Sequence, residues 1–247
     1  MREQRLVDIM AIVKKSGYVS LQELAEQLGV SLSTVRRDIA RLRSSGVVTM
    51  GKNGVIPVAE GIVDTPVSFR SNVNANAKAN IAQDALRLVT PGSTVFLDSS
   101  STVLKMADGL RNMRDNVIVT NSLHVVKRLK DGAAAVRLIG GEISPASHGF
   151  FGPAAEQAVR RYNFDLAFFS PVAVTPQGFA AETIEPAAAL RRAALEQAHS
   201  SVLLFDSSKI GLTRPYNIAP LEDFKYLITD DEKHSFAPGP VIRRVQV

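Results

Sequence analysis

The stretch TVFLDSSST, residues 94–102, joins a short apolar run to a cluster of polar side chains. An unbroken apolar run of this length is typical of a strand buried on both faces of a sheet, and a helical pattern starts directly after the cluster. The same unit recurs further along: VIVT leads into NS, VRLIG into GE, LAFFS into a longer loop, SVLLFD into SSK, and YLIT into DD. Apolar runs that alternate with helices predict an α/β domain with a mostly parallel sheet.

Polar clusters follow the predicted strands, and in open parallel sheets ligands bind beyond the carboxyl ends of the strands. The clusters are Asp98 to Thr102, Thr120 to Ser122, Gly140 to Gly141, and Asp206 to Lys209. Hydroxyl and amide groups, one lysine and the N–H groups of helix starts predict a pocket for a small, polyhydroxylated, phosphorylated molecule. The alternative is that each cluster only caps a helix, because Ser, Asn and Asp are common N-caps after any strand.

The N-terminal part of the chain is predicted to form three short helices. Residues 3–15 place apolar residues on one helical face, and Gly17 ends that helix. The segment SLQELAEQLG follows, with a capping box of Ser20 and Glu23. The third segment, SLSTVRRDIARLRSSG, begins with Ser31 as its N-cap.

The third predicted helix, residues 32–44, separates apolar and polar residues onto two faces. Its apolar residues fall within an arc of about 80°, with hydroxyl and guanidinium groups opposite. Behind a short supporting helix, this is the layout of a helix-turn-helix, in which Arg grips guanine and Ser or Thr donate to bases or phosphates. The expected base readers are Ser33, Thr34, Arg36 and Arg37, and the expected phosphate contacts are Ser31, Arg41 and Lys52.

The segment VVTMGKNGVIPV, residues 47–58, has two short β-runs around Lys52-Asn53-Gly54, a hairpin signal that predicts a wing. The distribution of charge also favours DNA as a partner. Residues 31–52 contain five basic residues and one acidic residue, a net charge of +4, whereas the whole chain of 247 residues has +5. The alternative is a three-helix cap on a larger domain, whose arginines serve only solubility.

Composition points to a cytoplasmic protein. Cysteine is absent from the sequence, so disulfides and thiolate metal sites are excluded. The charged N-terminus lacks the apolar core of a signal peptide, and no apolar run approaches the roughly 20 residues that span a bilayer. The expected domains are a DNA-binding domain at 1–58, a linker at 59–77 and an α/β effector-binding and oligomerisation domain at 78–247.

The sequence GYVSLQELAEQLGVSLSTVRRDIARLRSSGVV resembles the winged helix-turn-helix of the DeoR family of bacterial transcriptional repressors. The run VSLSTVRRDIARL is specific to that family. The resemblance continues through KANIAQDALRLVTPGSTVFLDSSSTV, VTNSLHVV, LIGGEIS, FDLAFFS, LLFDSSKIG and YLITD, which look like successive segments of its effector domain. That domain is similar in fold to ribose-5-phosphate isomerases, and the family changes its operator affinity when a phosphorylated sugar binds.

The resemblance also implies a set of effector contacts, and the sequence departs from the family pattern in the wing, in the first polar cluster and at Pro171-Val172-Ala173, which replaces a loop that usually contains glycine. The wing TMGKNGVIPV replaces the basic hairpin with histidine and glycines that is usual in the family, and Ser100 stands where the family usually has glycine. The implied effector contacts are Asp98, Ser100, Ser101, Thr102, Thr120, Asn121, Ser122, Gly141 and Lys209.

A receptor is favoured over an enzyme. Isomerisation of a sugar phosphate needs a carboxylate base beside the substrate, and isomerases of this fold carry an acidic loop after the strand that corresponds to LAFFS. Here that loop has no acid between Asp165 and Glu182. Glu182 and Glu185 remain as candidate bases, with a role as helix-start carboxylates as the alternative. Asp98 has a similar alternative role, as an acceptor of helix N–H groups.

No metal or other cofactor is predicted. The four histidines, His124, His148, His199 and His234, show no metal-ligand spacing. The Gly140-Gly141 pair lacks the further glycine of a dinucleotide fingerprint.

The sequence therefore predicts a DNA-binding repressor of carbohydrate catabolism, controlled by a phosphorylated sugar and acting as a homodimer or homotetramer. Two alternatives stay open. One is a sugar-phosphate isomerase-like enzyme with an appended helical domain. The other is a regulator that activates, or that senses an unphosphorylated sugar.

Overall fold

The computed structural model of the chain describes residues 2–44, 48–51, 54–57, 67–145, 147–236 and 239–246. The chain divides into two compact units, Met1–Val73 and Asn74–Val247. No helix in the described part of the chain combines the length and the apolar character that a membrane crossing requires.

The first unit contains helices and a small antiparallel sheet, in which the third strand lies between the first two. Its elements are α1 (Arg2–Ser16), β1 (Val19–Ser20), α2 (Leu21–Leu28), α3 (Leu32–Ser44), β2 (Val48–Met50), β3 (Gly54–Pro57) and α4 (Val67–Arg70).

The three predicted helices are confirmed, because their apolar stripes form one core. Ile9 and Val13 from α1 pack with Leu24 from α2 and with Val35 and Ile39 from α3, and all five side chains are buried. Helix α2 has the predicted capping box: the Glu23 N–H donates to Ser20 Oγ (3.1 Å), and the Ser20 N–H donates to Glu23 Oε2 (2.8 Å). These local signals fix the helix start before any distant contact is made.

The predicted wing hairpin is present as β2 and β3. Its closing hydrogen bond runs from the Gly51 N–H to the Gly54 carbonyl (2.8 Å), while Lys52 and Asn53 lie outside the described residues. Strand β1 was not expected from the sequence. It pairs with β3 so closely that a Cβ at Gly54 would lie 2.5 Å from the Val19 carbonyl oxygen, so glycine is required there for packing.

Part of the segment predicted as an irregular linker is helical. Helix α4 and the first residues of the next helix, which begins at Ala75, both fall within 59–77. Asn74 precedes that helix in a left-handed conformation (φ 52°, ψ 42°), which asparagine tolerates better than most residues. The Asn-rich composition therefore marks a helix start here.

The second unit is an α/β domain. It contains α5 (Ala75–Leu86), β4 (Thr94–Leu97), α6 (Ser101–Leu104), α7 (Ala107–Leu110), β5 (Val117–Thr120), α8 (Leu123–Leu129), β6 (Ala135–Leu138), β7 (Glu142–Ile143), β8 (Phe150–Phe151), α9 (Pro153–Val159), β9 (Phe164–Phe169), β10 (Ala173–Val174), β11 (Phe179–Glu182), α10 (Glu185–Leu195), β12 (Ala198–Leu204), a 3-10 turn (Ser207–Lys209), β13 (Tyr216–Pro220), a second 3-10 turn (Leu221–Asp223), β14 (Tyr226–Thr229) and β15 (Val241–Arg244).

Seven strands form one sheet in the order β15-β14-β12-β9-β4-β5-β6, and every neighbouring pair is parallel. Phenylalanines from β4 and β9 pack in the core, with the rings of Phe96 and Phe164 5.3 Å apart and those of Phe96 and Phe169 5.8 Å apart. The predicted fold class, an N-terminal winged helix-turn-helix followed by a mostly parallel α/β domain, is confirmed.

The expectation that every strand is buried on both faces is wrong at the sheet edges. The inner strands are largely buried, whereas β6 is mostly exposed and β15 is exposed at both ends, with Leu138 41% and Val241 53% accessible. An edge strand pairs on one side only, so its side chains are less covered than those of an inner strand.

The sequence also missed a small antiparallel sheet. The predicted loop after β9 is a hairpin of β10 and β11, and β11 pairs with β13 in a separate three-stranded sheet. Its turn is closed by the hydrogen bond from the Gly178 N–H to the Thr175 carbonyl (2.9 Å), with Pro176 in between. Pro after the first residue and Gly at the fourth are turn signals that the apolar-run criterion ignores.

Candidate functional site

Helix α3 presents the predicted DNA-reading residues on its outer face. Ser31, Ser33, Arg36, Arg37 and Arg41 are exposed, and Thr34 is half-buried. On the opposite face Val35, Ile39 and Leu42 are buried in the core of the first unit.

Three hydroxyl groups meet at the N-terminus of α3. Ser31 Oγ lies 2.9 Å from both Ser33 Oγ and Thr34 Oγ1, and it accepts a hydrogen bond from the Thr34 N–H (3.3 Å). Ser31 therefore acts as the N-cap that the sequence predicts. Because hydroxyl groups can donate or accept, this cluster can turn its donors towards a phosphate or a base edge.

The one carboxylate of α3 faces inwards. Asp38 is 1% exposed, and its Oδ2 lies 2.6 Å from Arg5 Nε on α1, an ion pair that raises the pKa of Arg5 through its hydrogen bond to Asp38. In the charge count of residues 31–52, Asp38 reduces the positive charge by one. The structure shows that it joins α3 to α1 and does not offset the outer charges. The sequence contains a signal for this inward orientation, because Asp38 lies at helical spacing beside the apolar arc of Val35 and Ile39.

In the second unit, the strand order reverses at β4. The chain moves from β4 outwards to β5 and β6, and then returns to β9 on the other side of β4. In open α/β sheets, the carboxyl ends of the two strands at such a reversal border the usual ligand crevice. The segments that lie there are Asp98 to Thr102, after β4, and Ser170 to Pro171, after β9.

Asp98 is the centre of a buried network at this crevice. Its Oδ1 accepts from the Ser100 N–H (2.9 Å), and its Oδ2 accepts from the Ser170 N–H (3.0 Å) and from Arg191 Nε (2.9 Å). Arg191 on α10 also pairs with Glu182, with Nη1 2.9 Å from Oε1. All three charged side chains are at most 6% exposed, so two carboxylates share one guanidinium in the interior.

This network corrects the expectation for Glu182. Glu182 is the last residue of β11 and is held by Arg191, so it is not a helix-start carboxylate. Glu185 does lie in the first turn of α10, where it pairs with Arg192 (2.7 Å). Arg191 was missed, although buried Ala187 and Ala194 lie on the same helical face and indicate that it points inwards.

A second chain of contacts crosses the crevice from β4 to β12. Lys209 Nζ donates to Ser170 Oγ (2.8 Å) and to the Pro171 carbonyl (2.8 Å), and Ser170 Oγ donates to Thr102 Oγ1 (3.2 Å). Thr102 and Ser170 are buried, and Lys209 is half-buried. The predicted Thr102 and Lys209 are thus brought together through Ser170, which sequence analysis did not select.

Asn121 lies on the β5 side of the same edge. Its Nδ2 donates to the Phe150 carbonyl (3.1 Å) and lies 3.4 Å from Ser99 Oγ. Its Oδ1 is buried and has no hydrogen-bond partner among the residues that the structure describes. A buried acceptor left without a donor is uncommon, so this atom marks a position where a ligand hydroxyl would gain a partner.

Three of the other predicted hydroxyls have structural partners. Ser100 Oγ accepts from the Val103 N–H (3.2 Å) and caps α6, and Ser122 Oγ accepts from the Val125 N–H (3.4 Å) and caps α8. Thr120 Oγ1 donates to the Leu97 carbonyl (2.7 Å). Ser100 has an extended backbone (φ −80°), so its position does not require the glycine usual in the family.

The last two predicted positions differ in exposure. Ser101 is buried in the first turn of α6. Gly141 is exposed and has a φ of 146°, and a Cβ there would lie 2.4 Å from the Phe151 carbonyl oxygen. Glycine is therefore needed at 141 for the close approach of the hairpin formed by β7 and β8.

Asp206 lies near two lysines, Lys209 and Lys78, at the carboxyl edge of the parallel sheet. It is 1% exposed; burial opposes its ionisation, but Lys209, Ser208, Lys78 and Asn74 outweigh that effect and lower its pKa. Lys78 on α5 is only 3% exposed. The sequence offered a signal for it, since Lys78 shares a helical face with buried Ile81 and Ala82.

Two histidines that are distant in sequence meet beside the β5 edge. His148 Nδ1 lies 3.0 Å from His124 Nε2 on α8, and His148 has a positive φ of 49°. Burial lowers the pKa of His124, and the neighbouring His148, Lys127 and Arg128 lower it further. Within the described part of the chain, no group of three or more His, Cys, Asp or Glu side chains could hold a metal ion.

A cavity of about 560 Å³ lies beside the small antiparallel sheet. Residues 174–179, 210–211, 220–222 and 234–236 line it, and none of the predicted effector contacts is among them. The predicted contacts therefore belong to a different place, at the carboxyl edge of the parallel sheet.

Comparison with known proteins gives two family matches. A DeoR-like helix-turn-helix domain matches residues 5–60, and a DeoR C terminal sensor domain matches residues 73–231. The chain is similar to the glycerol-3-phosphate regulon repressor of Escherichia coli strain K12, with 29% identity over 96% of this chain and 92% of that protein. It is also similar to the putative aga operon transcriptional repressor of Escherichia coli O157:H7, with 28% identity over 92% of this chain and 86% of that protein.

Among solved structures, the chain is similar to ribose 5-phosphate isomerase A from Methanocaldococcus jannaschii. The identity is 17%, the TM-score is 0.42, and the likeness covers 56% of this chain and 55% of that one. The sensor-domain match alone spans more than half of the chain, and the chain therefore belongs to the DeoR family of transcriptional regulators.

Proposed function

We propose that this protein is a cytoplasmic repressor of a carbohydrate-catabolism operon, and that a phosphorylated sugar modulates its binding to the operator. The observation that carries the proposal is the chain of contacts from Thr102 through Ser170 to Lys209 at the crevice where the strand order reverses. Hydroxyl groups beside an ammonium group are suited to a phosphate, which is anionic and rich in hydrogen-bond acceptors.

The DNA-binding part of the proposal rests on α3. We assign Ser33, Thr34, Arg36 and Arg37 to base contacts in the major groove, and Ser31, Arg41 and Lys52 to phosphate contacts. The exposure of the two adjacent arginines and the inward orientation of Asp38 support this assignment. A homodimer or homotetramer would place two such helices about 34 Å apart, one turn of the duplex.

The effector part of the proposal divides the predicted contacts into two groups. Ser101, Thr102, Asn121 and Lys209 would touch the ligand, with Asn121 Oδ1 as acceptor for a sugar hydroxyl. The remaining predicted residues would shape the crevice, since their polar groups hold the strand ends and helix starts in place; they are Asp98, Ser100, Thr120, Ser122 and Gly141.

Binding without turnover is favoured by the state of the carboxylates. Asp98 and Glu182 are both held by Arg191, and Asp206 is hydrogen-bonded to Asn74 and Ser208. A general base must be within reach of a substrate proton, and a carboxylate fixed by a buried guanidinium is poorly placed for that role. The names of the relatives, a glycerol-3-phosphate regulon repressor and a putative aga operon repressor, also support a repressor.

The proposal is tested by a gel-shift experiment on the DNA upstream of the gene itself, with glycerol 3-phosphate, ribose 5-phosphate, fructose 1-phosphate and the unphosphorylated sugars as additions. We expect at least one phosphorylated compound to change the affinity for DNA, by about 5-fold to 150-fold. Turnover of a phosphorylated sugar by the purified protein would instead favour the enzyme, and a response only to an unphosphorylated sugar would reject the phosphate.

Replacement of Lys209 by alanine tests the site. We expect Lys209→Ala to bind DNA as the native protein does and to lose the response to the phosphorylated compound. The matched control is Lys225→Ala, which removes the same charge from an exposed position directly before β14, at the opposite edge of the sheet. A Lys209→Ala protein that still responds would show that the phosphate binds elsewhere.

A further inference from the structure

The turn that carries Lys209 is hydrogen-bonded to the residue at which the second unit begins. We infer that Asn74 is the positioning residue that couples the effector site to the DNA-binding unit, an inference that rests on the function proposed above. Asn74 would not touch the ligand. It would transmit a displacement of the turn at 206–209 to the backbone that leads back to the DNA-reading helix.

The geometry of Asn74 is specific. Its Nδ2 donates to Asp206 Oδ1 (2.8 Å) and to Ser208 Oγ (3.0 Å), 132 and 134 residues further along the chain. Asn74 is exposed and has a left-handed backbone, so neither burial nor helix propensity accounts for its position. A residue in this conformation is held by its surroundings, and the contacts that hold Asn74 include the two side-chain hydrogen bonds.

The turn at 206–209 is short and well connected to the candidate effector site. The Lys209 N–H donates to the Asp206 carbonyl (3.1 Å), and Ser208 Oγ donates to Asp206 Oδ1. Lys209 Nζ lies on Ser170 and Pro171 at the crevice. An anion that draws Lys209 towards itself would therefore shift Asp206 and Ser208 with it, because the turn has too few residues to absorb the motion.

On its other side, Asn74 continues into the first unit through a few residues. Residues 71–73 join it to α4, whose last turn is closed by the Ser71 hydroxyl donating to the Val67 carbonyl (2.8 Å). Helix α4 packs against α1, and α1 is tied to α3 by the ion pair of Arg5 and Asp38. Each step from Asn74 to the DNA-reading helix is thus a covalent link, a helix contact or an ion pair.

The coupling requires that the ligand prefer one position of the turn. A ligand shifts an equilibrium only by its difference in affinity for the two states, so the bonds of Asn74 must differ between them. Without the side-chain amide at position 74, a displacement of the turn at 206–209 would no longer move the backbone at residue 74. Sugar binding and DNA binding would both persist, but neither would affect the other.

The test compares Asn74→Gly with Asn80→Ala in the full-length protein. Glycine keeps the left-handed backbone and removes the amide. Asn80 lies on α5, the helix that Asn74 precedes, and its Nδ2 donates to the Gln246 carbonyl (2.7 Å), so its replacement removes a side-chain hydrogen bond remote from the turn. Calorimetry with glycerol 3-phosphate, ribose 5-phosphate and fructose 1-phosphate measures sugar binding, and titration of the upstream DNA with and without each compound measures coupling.

We expect Asn74→Gly to keep both affinities within about twofold of native. The change in DNA affinity that the active compound causes should fall from at least about 5-fold to less than about twofold, while Asn80→Ala keeps the native response. A native response in Asn74→Gly would overturn the inference and leave the proposed function intact. Absence of sugar binding and response in the native protein would instead reject the proposed function.

A measurement without ligand tests the inference even if the native protein binds none of the three phosphorylated compounds. Ser208→Ala removes the hydroxyl that bonds both Asn74 and Asp206, which changes the position of the turn. It should change DNA affinity by at least about twofold in the native background, where Asn74 still transmits that position through Asp206, and have no effect in the Asn74→Gly background, where the position is no longer transmitted. Equal effects in both backgrounds, or no effect in either, would show that the turn does not act through Asn74.

Discussion

The two candidate sites of this protein handle polar side chains in opposite ways. On α3 the arginines and Ser33 are exposed, and the partly buried ion pair of Asp38 with Arg5 lies behind them. At the crevice of the parallel sheet, Asp98, Thr102 and Asn121 are buried and bonded mostly to protein groups. A DNA duplex is large and can cover an exposed face. A small molecule must instead bind in a crevice whose polar groups are already held in place by the protein. Substitutions on α3 should therefore weaken DNA binding without a change in folding stability, whereas substitutions at the crevice should affect both ligand binding and stability.

The largest expected effect on folding stability comes from replacing Arg191, the cation of the buried network at the crevice. Arg191→Met leaves Asp98 and Glu182 buried without their shared cation, and removal of one partner from a buried ion pair typically costs about 3–5 kcal/mol. Arg192→Met is the matched control, because its neighbouring guanidinium forms a partly exposed pair with Glu185 and should cost less than about 1 kcal/mol. Urea unfolding measures both. Similar losses for the two variants would mean that the buried network contributes little.

A smaller effect, confined to binding, is expected for Arg37. Arg37→Ala should weaken binding to the upstream DNA by about 1–3 kcal/mol, because a base contact is lost, and should leave unfolding within about 0.5 kcal/mol of native. Arg43→Ala removes the same charge about 120° around the helix and should weaken binding less. Equal losses for the two variants would show that charge alone, and not the outer face of α3, determines the affinity.

The smallest expected effect comes from the histidine pair. The pKa of His124 is lowered in the folded protein from its ordinary value of 6.5, so the unfolded chain takes up a proton more readily. Stability should therefore fall as the pH drops below about 6.5, and it should level off below the folded pKa. Thermal unfolding from pH 7.5 to pH 5 should show a weaker dependence in His124→Gln. An identical pH dependence in that variant would assign the loss to other groups.

Local patterns in the sequence predicted one region better than the other. The capping box, the apolar stripe of α3 and the apolar runs of the inner strands each act within a few residues, so they were visible without the fold. The pairing of Arg191 with Asp98 spans 93 residues, and that of Asn74 with Asp206 spans 132, so no spacing rule could reveal either. Strand β15, sequence VIRR, was missed because an exposed edge strand lacks an apolar run.

The polar clusters in the sequence predicted only some features of the crevice. They lie at one edge of the sheet, because parallel strands end together. They did not distinguish residues that cap helices, such as Ser100 and Ser122, from those with other partners, such as Thr102. That distinction depends on where each hydroxyl points, which the backbone sets only after the chain has folded.

The inward orientation of Asp38 has a consequence for how the protein searches a genome. With its only carboxylate turned away, α3 would present a positively charged outer face to any stretch of double helix, so weak contact would form at every position along the DNA. Such contact would allow the protein to slide along DNA, and the discrimination between sequences would then depend on the few side chains at the N-terminal end of the helix. A carboxylate on the outer face would have shortened each encounter before the bases could be compared.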